Sequence, residues 1–83
     1  MQGERTAIAR KDGKILRDWL YDIPYREYRE TVNTLVKVCG VPKSTLANWR
    51  NGKCRIPVLA KKAINEVSLD VSGKEIFTIV LPE

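Results

Sequence analysis

Apolar residues recur every three or four positions through the first two thirds of the chain. Ile15, Leu16, Trp19 and Leu20 predict a helix over about 12–21, with Ile15/Trp19 and Leu16/Leu20 as i,i+4 pairs on one inward stripe. Asp12-Gly13 reads as a turn before it, and Asp12 is placed to cap it. Residues 1–11, polar apart from Thr6-Ala7-Ile8-Ala9, read as a loose arm or a short strand. Asp22-Ile23-Pro24 breaks the pattern, because proline disfavours helix in the residue before it and suits a first helical turn. A second helix is expected from near Pro24, its stripe running Tyr25, Tyr28, Val32, Leu35, Val36, Cys39, and Gly40 ends it. A third helix spans about 43–50, between Pro42 and Asn51-Gly52. Ile56-Pro57 is another break, and Val58 to Val67 predicts a fourth helix with Leu59, Ala63, Ile64 and Val67 facing in.

Beyond Val67 the period shortens. Leu69-Asp70-Val71, a Ser72-Gly73 turn and the run Glu75-Ile76-Phe77-Thr78-Ile79-Val80-Leu81 read as a strand or hairpin. That strand is apolar on both faces, Phe77, Ile79 and Leu81 opposite Ile76 and Val80, so it needs two covers. One is the domain's own helices; a second copy of the chain would supply the other. The expected fold is therefore mainly α: a four-helix domain over 12–67, an arm at 1–11, and a β segment at 68–83 through which a homodimer forms.

Charge changes the picture. The formal net charge is +5, yet Thr31 to Asn65 contains no Asp or Glu and carries Lys37, Lys43, Arg50, Lys53, Arg55, Lys61 and Lys62. Basicity concentrated around a turn and a helix suits a polyanion partner. No apolar run approaches the roughly 18 residues of a membrane span, and no secretory signal is read, so a cytoplasmic protein without membrane partner is expected. With no histidine and only Cys39 and Cys54, no metal site is expected, nor a disulfide in that compartment. Cys39 reads as a small core residue. No His-based catalytic constellation or glycine-rich phosphate loop is present, so neither an enzyme, a cofactor nor a small-molecule ligand is implied. Glu27 and Glu30 beside Arg26 and Arg29 read as a salt-linked solvated face, Lys61 and Lys62 as a solvated face of the fourth helix, and Tyr25 and Tyr28 as packing residues with hydroxyls at the surface.

On a helical wheel at about 100° per residue, Lys43, Ser44, Ala47, Asn48 and Asn51 share one polar or small face. Leu46 and Trp49 form the apolar face, and Thr45 lies at the border. Asn pairs bidentately with adenine, Lys donates to guanine, and Ala meets a thymine methyl, so this face has the chemistry of base readout. Lys43 stands at the positive end of the helix dipole, where a cation costs about 0.3–1 kcal/mol. Pro42 occupies the place of a side-chain cap. An anion opposite this terminus would offset both penalties.

The segment from about Val32 to Pro57 resembles the helix-turn-helix of the Cro/repressor-type (xenobiotic-response-element) family of DNA-binding proteins. Leu35, Cys39, Val41, Leu46 and Trp49 fall on that motif's core positions around Gly40, and Asn51-Gly52-Lys53 followed by Pro57 matches its later loop. Val36 stands where the family favours alanine, and the second helix is longer than usual. The resemblance implies a repressor-like regulator of transcription that binds double-stranded DNA. It further implies base contacts from Lys43, Ser44, Asn48 and, at the margin, Ala47, with backbone contacts from Arg50, Asn51, Lys53 and Arg55. The alternative is a protein-interaction or antitoxin-like module, with the helix-turn-helix as scaffold and the C-terminal strand as the partner-binding element.

Overall fold

The computed structural model describes residues 2–79, and these form four helices: α1 (Gln2–Asp22), α2 (Tyr25–Cys39), α3 (Lys43–Arg50) and α4 (Val58–Ser72). The domain is mainly helical, as its periodicity predicts. The packing is pairwise, with α1 chiefly on α3 and α2 chiefly on α4. One core joins the pairs, with Leu16, Leu20, Leu35 and Ile64 at its fully buried centre and Trp19, Leu46, Trp49 and Ile56 around them.

The expected arm at 1–11 and the turn at Asp12-Gly13 are both replaced by helix. α1 runs through them from Gln2. Its buried stripe continues backward from Leu16 through Gly13 and Asp12 to Ala9, at helical spacing. Gly13 is there for contact rather than for turning. A Cβ on it would lie 2.5 Å from Trp49 O and 2.9 Å from Gly52 N, so the α1 backbone rests directly on the chain leaving α3. Asp12 caps nothing. Its side chain is nearly buried, with Oδ2 2.8 Å from Lys61 Nζ on α4. No donor is aligned on that oxygen as a hydrogen bond, so the contact is one of charge at short range. Lys61 also stands 5.5 Å from the Phe77 ring centroid and belongs to the interior, not to the solvated face expected for it.

Among the described residues, the strand or hairpin expected at 68–83 is not formed. α4 continues through Leu69-Asp70-Val71 to Ser72 and stops at Gly73; among the described residues no strand follows. Val80, Leu81 and Pro82 lie outside the described residues. What holds the segment after α4 is one buried amide. Asn65 Nδ2 donates to Phe77 O at 2.9 Å, and Phe77 N donates to Asn65 Oδ1 at 2.9 Å. The side chain thus offers Phe77 the donor and acceptor that a neighbouring strand would have supplied. Phe77 is buried in the chain's own core, so dimerisation through this strand has no strand to rest on among the described residues. Asn65→Ala is expected to cost about 2 kcal/mol in urea unfolding, because it orphans two buried backbone groups at once. A loss below about 0.5 kcal/mol would show that the amide does not hold the segment.

Two further expectations fail at single residues. Leu59 does not face in: it is 78% exposed, and Ala60 takes the inward position. Tyr25 is 95% exposed and packs on nothing, whereas Tyr28 is half-buried against the core. Each of α2, α3 and α4 begins directly after a proline (Pro24, Pro42, Pro57) and has no side-chain cap. Gly40 closes α2 with φ of 66°, a conformation open to glycine, and its N–H donates to Val36 O at 3.0 Å.

Candidate functional site

The Gly40 turn delivers the chain into α3 with Leu46 and Trp49 in the core. Burying these two residues fixes the helix's rotation. Lys43 and Ser44 are consequently exposed, with Ala47 and Asn48 half-exposed beside them. The four residues expected to read bases therefore do share an accessible side of one helix. The first turn of α3 has no side-chain cap and no acidic residue, so its positive end is uncompensated by the chain itself.

The loop after α3 folds back under it. Asn51 N donates to Ala47 O at 2.9 Å and Lys53 N donates to Asn48 O at 2.9 Å, while Ile56 plugs the core. Asn51, Lys53 and Arg55 are left exposed on that loop, and among the described residues neither Lys53 nor Arg55 is in an ion pair. The loop is braced from below by the Gly13 contact on α1: Gly52 lies so close to Arg10 that its own Cβ would sit 3.1 Å from Arg10 Cα. Arg50 stands at the end of α3. It is half-buried and donates through Nη1 to the Tyr28 hydroxyl at 2.9 Å, tying α3 to α2.

The face is wider than the sequence suggested. Arg26, Arg29 and Asn33, at i, i+3 and i+7 of α2, border a groove of about 700 Å³ with Lys43, Tyr25 and Tyr28. Glu27 and Glu30 point to another side, where they line a groove with residues of α4. The salt-linked face expected for these four residues is not formed; none is ion-paired with another among the described residues. Spacing is the signal in the sequence: the centre of the Arg26/Arg29 pair lies about 100° around the helix from the centre of the Glu27/Glu30 pair.

Little else in the molecule offers chemistry. Cys39 is half-buried with Sγ 4.0 Å from Ala60 O, and burial pushes its thiol pKa up, away from nucleophilic thiolate. Cys54 is exposed on the loop. Among the described residues no group of His, Cys, Asp or Glu is arranged to hold a metal ion, and no helix is long and apolar enough to cross a membrane. Set against protein-family models, curated proteins and solved structures, the chain matches none of them, so its function is argued from its own residues.

Proposed function

We propose that this chain is a sequence-specific double-stranded DNA-binding domain of a small transcriptional regulator, of the helix-turn-helix type its sequence resembles. The observation that carries the reading is that Lys43 of α3 shares a groove with Arg26 and Arg29 of α2, beside the exposed α3 residues Ser44, Ala47 and Asn48. Lys53 and Arg55 are exposed on the loop that follows α3, in the same acid-free window. Basic side chains at the rim supply affinity for phosphates, and a short polar face at the centre supplies discrimination among bases. α3 would lie in the major groove, its uncapped start toward a phosphate. The loop bases, together with Arg26 and Arg29, would flank it on the backbone.

The test is fluorescence anisotropy against random duplex and against sequences selected from a random pool. Asn48→Ala is expected to cost about 1–3 kcal/mol on the selected sequence and to relax one base position. Lys53→Ala should weaken all duplexes alike and reduce the salt slope by about one unit. Failure to bind random duplex even at low salt would refute the reading.

A further inference from the structure

Apart from the basic face, α2 forms a second groove with α4, about 660 Å³ in volume, and its charge is opposite. Glu27 and Glu30 line it from α2, and Glu66 and Asp70 from α4. No Lys or Arg of this net basic chain lines it, and none of the four carboxylates is ion-paired among the described residues. Its floor is Val67 and the partly exposed Val71. Thr31 also lines it. That residue is only 4% exposed.

The groove has two unlike ends. The Cys39–Ala60 contact sets the end of α2 beside the start of α4, so the two helices run antiparallel. Val38 continues the α2 row from Glu27 through Thr34, and Leu59 begins the α4 row that continues to Glu66 and Asp70. Both apolar residues are exposed, Leu59 by 78% and Val38 by 49%. An apolar end and an acidic end thus lie about 16 Å apart along one helix pair.

We infer that this groove docks a cationic amphipathic helix of another protein, its Lys or Arg residues between the four carboxylates and its apolar residues on Leu59 and Val38. Charge selects the occupant. A second copy of this chain placed parallel would set carboxylates on carboxylates. A basic helix of about three turns satisfies both ends at once. The inference does not depend on DNA binding, and its groove shares no lining residue with the basic one.

The test uses the whole chain, labelled with nitrogen-15, and a synthetic Leu/Lys amphipathic helix of about 15 residues as probe, with a Leu/Glu helix of the same apolar pattern as control. Expected are amide shifts confined to 27–38 and 59–71 with the Leu/Lys probe and none with the control. The double variant Glu66→Gln/Asp70→Asn should weaken the probe about tenfold. Leu59→Ser should weaken it while leaving the salt dependence unchanged. Shifts scattered over the surface, or an affinity indifferent to both variants, overturn the proposal. Shifts at Glu66 that follow protein concentration without probe overturn it in favour of self-association.

Discussion

Gly13→Ala should lower stability by about 3 kcal/mol in urea unfolding, the reverse of what the same change does at an exposed helix position. Ordinarily alanine gains roughly 1 kcal/mol over glycine inside a helix. Here the added methyl would lie 2.5 Å from Trp49 O and 3.0 Å from Gly52 Cα. Neither neighbour is a side-chain tip that can swing aside. Trp49 O accepts the Gly52 N–H at 3.1 Å, and the Trp49 ring is locked in the core. Relief requires α1 to lift from the loop, which also carries Lys53. A folded remnant should therefore bind duplex DNA less tightly, if the proposed function holds, although no contact residue has changed. Gly40→Ala is the contrasting case: its Cβ meets nothing within 4 Å, so its cost is that of the φ of 66° alone, about 1–2 kcal/mol. A neutral or stabilising Gly13→Ala would mean that α1 does not seat on the loop as described.

Lys61→Met should cost a similar amount, about 3 kcal/mol at neutral pH. It removes the cation 2.8 Å from an Asp12 oxygen whose side chain is 10% exposed, and water cannot replace it there. Adding Asp12→Ala to Lys61→Met should recover most of the loss, since burying the pair is itself costly and a neutral interior needs neither partner. Denaturant unfolding of the two single variants and the double variant closes the cycle. A double-variant cost equal to the sum of the two single costs would show that the two charges do not sense each other. High salt should alter the result little, because the pair is shielded from mobile ions.

These two sites are also where sequence reading failed, and for one reason. Periodicity finds a helix by its apolar stripe, so α2 and α3 were legible from Leu35, Val36, Leu46 and Trp49. The first half of α1 places Asp12 and Gly13 on the buried stripe, and the second half of α4 places Asn65, Ser68 and Ser72 there or beside it. Polar residues in core positions erase the pattern. Three of them are answered by something remote in sequence: Asp12 by Lys61, Asn65 by Phe77, and Ser72 by the Trp19 indole N–H, which donates to its Oγ at 2.9 Å. No local window contains those answers. Alternation over 75–81 resembled a strand for the same reason, since the partner that satisfies Phe77 is a side chain rather than a neighbouring strand. At the candidate site, α3's exposed side was legible because two large apolar residues fix its rotation. The roles of Arg26 and Arg29 were not, since which flank of α2 meets α4 is a tertiary fact.

The prolines that open α2, α3 and α4 carry a consequence for where this fold's stability resides. A side-chain cap stabilises a helix through a bond made in the folded state, whereas a proline acts through the unfolded chain, whose freedom it narrows before folding begins. With Pro24, Pro42 and Pro57 in those places, three helix starts are favoured by restricted chain entropy and not by contacts. Their leading backbone amides stay uncommitted, and native-state hydrogen exchange should find them among the fastest in each helix.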